Sequence, residues 1–372
     1  MTIRSPHLTL LAGAICAIAL AACAPPVVEV SPPEPRQPGV TPEEERVTAI
    51  RDVDQLEARE PRWSSMAPVP EARTEVSVTT DGERIYLVGG FVPHEDPEAE
   101  GRAPVSRAMW IYDPATNAWT AGPDAPRGTH HAGWVAVDGI LYLFGGFRDN
   151  TFEPDGRVHA FDPATGQWTE RAPMPTPRGA IAYTVLNGRI HAIGGNADTE
   201  GLHHHEHTTD APDNSVGTHE VYDPATDSWE RLAPMPTARN HHAAATVDGR
   251  IYVTAGRAGR NFTMTVTERY DPATDSWTEV APLPTGRSGV AAVTLDGWMY
   301  VFGGETFDPG AARTFDDAER YDPTADRWER LPPMPSARHG LGTAVVDGSI
   351  YVVSGGPTPG FAFGTANERL DP

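Results

Sequence analysis

Beyond residue 62 the chain is written in short apolar runs separated by polar turn formers. One unit shows the pattern: HHAAATV over 241–247, RIYVTAG over 250–256, THEVYDP over 218–224 and SWERLAP over 228–234. Runs this short, rich in β-branched and aromatic residues and bounded by Asp, Asn, Gly or Pro, predict strands. An Asx-Gly pair between the first two runs predicts a tight hairpin. Such pairs stand at Asp81-Gly82, Asp138-Gly139, Asn187-Gly188, Asp248-Gly249, Asp296-Gly297 and Asp347-Gly348.

The unit recurs six times. Trp63, Trp119, Trp168, Trp229, Trp277 and Trp328 mark it, at spacings of 56, 49, 61, 48 and 51 residues. Asp-Pro pairs end the third run at Asp113, Asp162, Asp223, Asp271, Asp322 and Asp371. Small pairs end the second at Gly89-Gly90, Gly145-Gly146, Gly194-Gly195, Ala255-Gly256, Gly303-Gly304 and Gly355-Gly356. Small pairs let neighbouring backbones approach, and a Trp fills the gap between adjacent sheets. Four-stranded sheets repeated radially make an all-β, six-bladed propeller. The coincidence of these signals over residues 63–372 resembles the kelch repeat, whose period is about 50 residues. The chain ends on a third run, 367–372, while the domain opens on a Trp-bearing fourth, so the Trp63 strand is expected to close the last blade.

Composition fits that reading and removes several chemistries. The 36 Gly and 37 Pro demand many turns. A formal charge of −22 argues against a nucleic-acid partner, whose phosphates need basic patches. The basic residues are all Arg, so lysine Schiff-base chemistry is excluded. The two cysteines, Cys16 and Cys23, lie in the first 23 residues, which leaves the propeller without a thiol nucleophile or Cys-ligated zinc.

The first 22 residues have a basic start and a short apolar core, the layout of a secretory signal. Their end, Leu20-Ala21-Ala22-Cys23, resembles the lipobox of bacterial lipoproteins, which implies cleavage before Cys23 and lipidation of its sulfur. Ala24 follows, with no Asp at the inner-membrane-retention position. The expected address is therefore extracytoplasmic, at the periplasmic face or the surface of an outer membrane. Residues 23–62 read as a Pro/Glu-rich tether, with a short helix expected after the Thr41-Pro42-Glu43-Glu44 start.

Two connections in every blade are tight, and the other two emerge on the opposite face, where long loops span 91–107, 147–157, 196–217, 257–265, 305–317 and 357–366. Long loops on a rigid scaffold make that face the candidate binding surface. There each first strand follows an arginine: Arg73, Arg127, Arg178, Arg239, Arg287 and Arg338. Such a ring suits a carboxylate or sugar acid, or else serves the scaffold by pairing with Glu220, Glu268, Glu319 and Glu368. The first two blades replace that Glu with Trp110 and His159. His130, His131, His241, His242 and His339 follow the arginines, and Arg148 and Arg257 follow small pairs. Strand alternation would send only one His of each adjacent pair to the channel. On the third blade's loop, His203, His205 and His207 offer imidazoles for a divalent metal; no other cofactor is expected.

The resemblance implies a module that binds an envelope protein or glycan. The alternative is a sugar-acid mutarotase, similar to periplasmic kelch proteins that equilibrate sialic acid anomers, using channel Arg and His residues. A copper radical oxidase is excluded by the missing cysteine, and Asn214 interrupts the iron-binding pattern begun by Glu206 and Asp210.

Overall fold

The computed structural model describes residues 60–96, 103–197 and 214–372. Cys23, the expected tether helix and the His203–His207 run lie outside the described residues. Six four-stranded antiparallel sheets form, and the first strand of each faces the first strands of its two neighbours, closing a ring. Blade one comprises Ser77–Thr80, Ile85–Val88, Met109–Asp113 and Ala118–Ala121. Blades two to five begin at Gly133–Val137, Ala182–Leu186, Ala243–Val247 and Ala291–Leu295. The sixth sheet joins Gly342–Val346, Ser349–Val353 and Asn367–Asp371 to Arg62–Ser65, with Trp63 opposite Leu370.

Five hairpins behave as the Asx-Gly pairs dictate. Asp138, Asn187, Asp248, Asp296 and Asp347 have φ between 47° and 52°, followed by Gly at 72° to 78°, the twist that suits antiparallel strands. The first blade departs: its strands stop at Thr80 and restart at Ile85, so Asp81-Gly82 belongs to a longer loop pinned by Thr80 Oγ1 donating to Arg84 O.

Six apolar clusters lie one between each pair of adjacent blades. The repeated Trp explains itself here. Trp229 packs on Tyr222 at 5.2 Å and donates Nε1 to Ala172 O of the preceding blade at 2.9 Å. Trp119, Trp277 and Trp328 do the same to Ala67, Ala233 and Ala281. Asp227, the fifth residue of the Asp223-Pro224 turn, accepts from Tyr222 and from Ala172 N, so one carboxylate joins turn, strand and neighbouring blade.

Two repeat assignments shift, one by two residues and the other by one. The carbonyl that receives the second residue of the small pair belongs to Thr129 in blade two, where Arg178, Arg239, Arg287, Arg338 and Arg73 supply it elsewhere. Arg127, two residues earlier, reaches the guanidinium site from a different backbone position and donates to Gly145 O. In blade six the pair with positive φ is Ser354-Gly355, not Gly355-Gly356. Both shifts change which residues face the axis.

Candidate functional site

Two residues beyond each arginine position the chain turns into the left-handed region, at Glu75, His131, Ala180, His241, Gly289 and Gly340. Their backbones link the blades. His131 N donates to Glu75 O, Ala180 N to His131 O, His241 N to Ala180 O, Gly289 N to His241 O and Gly340 N to Gly289 O; Val76 N donating to Gly340 O completes the circle. Below this ring the inner strands enclose an axial cavity of about 120 Å³, walled by Val78, Ala132, Ala182, Ala244 and Ala292. The ring side chains stand at its mouth.

Only three ring positions carry large side chains, and they converge. Glu75 Oε2 lies 3.1 Å from His131 Nε2, and Glu75 Oε1 lies 3.1 Å from His339 Nδ1. His339 Nδ1 also reaches Glu305 Oε2 at 3.3 Å. Arg257 donates to Glu305 Oε1 at 3.0 Å and to His241 Nε2 at 2.8 Å, and its guanidinium sits over Phe307. Glycine at one ring position makes the room. A Cβ at Gly340 would lie 2.7 Å from the Glu75 carboxyl carbon, whereas one at Gly289 would touch His339 and Glu305 only at ordinary contact distance.

One set of imidazole tautomers satisfies the hydrogen bonds around the ring. His130 Nε2 faces Asp149 O at 2.9 Å and must be N–H, so His130 Nδ1 accepts from His131 Nδ1 at 2.6 Å. His241 Nε2 accepts from Arg257, so its Nδ1–H donates to Asn240 Oδ1, and Asn240 Nδ2 donates to Ser215 Oγ. Burial pushes His131 down to about 4, with Arg257 and His339 adding to the effect against Glu75. Burial alone would raise Glu75, but His131, His339 and Arg257 hold it down at about 2. His339 goes the other way: burial is outweighed by Glu305 and Glu75, which raise its proton affinity. At neutral pH the mouth therefore holds an ionised Glu75 in contact with His131 and His339.

Aromatic rings roof this cluster. Phe91, Phe147 and Phe152 surround His130, and Phe361 stacks edge-on to Phe91 at 5.0 Å. Phe262 and Phe307 pair on the neighbouring loops at 5.7 Å.

A family model describing the KLHDC2/KLHL20/DRC7 Kelch-repeats domain matches residues 43–195 and 209–356. The chain belongs to the kelch-repeat family. The Kelch motif also matches residues 177–236. Kelch-like protein terF of Aspergillus terreus is 27% identical over 83% of this chain and 55% of its own length. Human Kelch-like protein 34 is 25% identical over 79% of the chain and 36% of its own. The chain thus spans about half or less of these curated relatives. The structure titled "Structure of YjhT" superposes with a TM-score of 0.65 at 19% identity, over 82% of this chain and 96% of that one, a likeness of fold.

Within this kelch propeller the arginine ring is committed to the scaffold. Arg178, Arg239, Arg287 and Arg338 are buried against Glu220, Glu268, Glu319 and Glu368. Arg73 pairs with Glu71 and donates to Gly89 O and Ala108 O; Arg127 pairs with Asp155 at 3.2 Å. Arg148 pairs with Glu153 at the loop surface. Trp110 packs between blades six and one, His159 is buried beside Arg127, and His242 bonds Ile193 O at 3.0 Å in the blade wall. His130, His131, His241, Arg257 and His339 are the candidates that the structure brings together. Strand alternation does not sort His130 from His131, because His131 sits in the left-handed turn ahead of the strand and both rings meet. Sequence reasoning missed Glu75 and Glu305. Their signal was positional: one lies two residues past an arginine, the other directly follows a small pair.

Proposed function

We propose that this chain is a lipid-anchored, extracytoplasmic kelch propeller that binds an envelope protein or glycan through its long-loop face. Among the described residues Phe361 is the exposed large hydrophobic, at 50%, and it sits on that face in contact with Phe91 and Phe152. An exposed aromatic against half-buried Phe152, with half-buried Phe262 and Phe307 on other long loops, is the composition of a recognition surface, where aromatic anchors supply much of the binding energy. That observation carries the reading. The Leu20-Ala21-Ala22-Cys23 ending supports the anchor.

A sugar-acid mutarotase has the acid–base pair it needs in Glu75 and His131. The axial cavity beside that pair, however, holds about 120 Å³, below the roughly 300 Å³ at which small-molecule sites begin. The arginines that would hold its carboxylate are already paired. Binding is therefore the better supported function.

The test is a glycan array and an envelope cross-linking screen, each run with wild type and Phe361→Ser. A ligand retained by wild type and weakened at least tenfold in the variant, with the melt unchanged, supports the loop face; equal retention by both refutes it. Metabolic labelling with a palmitate analogue, lost in Cys23→Ser together with membrane fractionation, checks the anchor.

A further inference from the structure

We propose that the channel mouth is a binding site for a divalent transition metal of the zinc class, ligated by Glu75, His131 Nε2 and His241 Nε2. One carboxylate oxygen and two imidazole nitrogens from these residues lie within 4.8 Å of one another. They come from blades one, two and four, so the ion would tie blade four to two blades that do not adjoin it.

The tautomers carry the argument. His131 gives its Nδ1–H to His130, which leaves a lone pair on Nε2, and that lone pair faces the carboxylate Oε2 of Glu75 at 3.1 Å. Two acceptors at this distance repel unless a proton or a metal ion lies between them, and the same two atoms are placed to ligate an ion. His241 likewise gives its Nδ1–H to Asn240, and its Nε2 lone pair accepts from a cationic group, Arg257. Both histidines thus have one ring nitrogen tied by a second residue and the other directed inward, the arrangement that orients imidazoles on metals. His130 and Asn240, with Asp149 and Ser215 behind them, are the positioning residues.

Distances and chemistry agree with zinc-class ions. Bonds of about 2.0–2.2 Å in tetrahedral geometry put ligand atoms about 3.4 Å apart. The His131–Glu75 pair, at 3.1 Å, needs only a small spread to reach this. His241, within 4.8 Å of the other two ligand atoms, has to move inward, which requires it to leave Arg257. Arg257 keeps Glu305 as its partner at 3.0 Å when it does so. Two imidazoles and a carboxylate suit Zn²⁺, Co²⁺ or Ni²⁺ rather than Ca²⁺ or Mg²⁺. The second set, Glu75, Glu305 and His339, is the weaker site, because His339 turns its N–H toward both carboxylates. Since Glu75, His131 and His241 line the axial cavity, the remaining coordination positions open onto water-sized space.

The experiment uses the full chain without a polyhistidine tag, carrying His203→Ala, His205→Ala and His207→Ala so that the loop imidazoles cannot contribute. Equilibrium dialysis against Zn²⁺ with elemental analysis should retain one equivalent. Co²⁺ should give the intense visible bands of a four- or five-coordinate ion. His131→Ala, His241→Ala and Glu75→Gln should each weaken Zn²⁺ at least a hundredfold, while Arg257→Gln should tighten it by freeing His241. Circular dichroism and melting establish that each variant folds. The Co²⁺ spectrum needs no variant at the site, so it decides the matter even if one misfolds. Failure to retain Zn²⁺, a Co²⁺ spectrum like the hexaaqua ion, or affinity unchanged in folded His131→Ala overturns the proposal.

Discussion

Removing one carboxylate from the Arg–Glu scaffold tests whether the repeated arginines are structural. Blade three offers an internal comparison. Arg178 and Glu220 are both fully buried, and the guanidinium also donates to Gly194 O, Thr176 O and Ala192 O at 2.9 Å each. Thr176 Oγ1 donates to the other carboxylate oxygen of Glu220 at 2.7 Å. Glu220→Gln keeps the shape and the Thr176 partner but leaves a desolvated cation without a countercharge. Breaking a buried pair in this way costs about 3–5 kcal/mol, and the three carbonyl acceptors place the expectation at about 3. In the same blade Arg189 pairs with Glu230 at the surface, with side chains 36% and 59% exposed. Glu230→Gln should cost under about 1 kcal/mol. Urea unfolding followed by tryptophan fluorescence reads both. With a slope of about 3 kcal/mol/M, Glu220→Gln should lower the midpoint by about 1 M and Glu230→Gln by less than about 0.3 M. Equal shifts would refute the scaffold reading and return Arg178 to the ligand candidates.

Two further outcomes follow from buried groups elsewhere. His191 Nδ1 and His219 Nε2 meet at 2.8 Å between blades three and four, and burial pushes them down to about 3 and about 4, with His219 and Arg189 adding to the effect on His191 and Asp275 opposing it on His219. Since the unfolded chain takes up these protons near pH 6.5, stability is full above that pH and lost as pH falls toward about 3. Melting between pH 4 and 7 should flatten in His191→Tyr/His219→Val, which carries the residues blade two has at Tyr142 and Val158; an unchanged slope would show that the pair titrates normally. Gly340→Ala should lower stability by about 1–3 kcal/mol, because φ is +59° and the new Cβ meets the Glu75 backbone nitrogen at 2.7 Å. A melt within a degree of wild type would mean that the ring relaxes freely there.

Much of this architecture was legible because each repeated residue performs a local task that depends little on its surroundings. Asp138-Gly139 makes a hairpin, Asp223-Pro224 makes a turn, and Trp229 caps the preceding blade wherever the unit occurs. The pairing of Glu220, Glu268, Glu319 and Glu368 with the arginines could be read for the same reason. The axial cluster could not. Thr129 takes the arginine position in blade two and Ser354-Gly355 the small-pair position in blade six, and counting along the chain gives no sign of either slip. A slip of one or two residues decides whether a histidine enters the wall, as His242 does, or the axis, as His131 does. Nor does the chain reveal that Glu75 and Glu305, 230 positions apart, share His339.

The way the cluster is packed explains why the channel mouth departs from sixfold repetition. Six equivalent large side chains directed at one axis collide, so every bulky group there needs a small counterpart at another blade. Gly340 gives space to the Glu75 carboxylate, Gly179 to the Phe147 ring, and Gly356 to His339 Nε2, each at under 3 Å from where a Cβ would stand. These glycines occupy positions that in other blades carry Glu75, His130 and Arg257. The repeated residues hold the ring, and the unequal ones share out its centre. Blade three contributes only Gly179 and Ala180 to the two innermost positions, which leaves the charged groups on blades one, two, four, five and six. A partner or ion meeting this face therefore meets a polar field with one neutral side, and that asymmetry gives an otherwise radial surface a single orientation for binding.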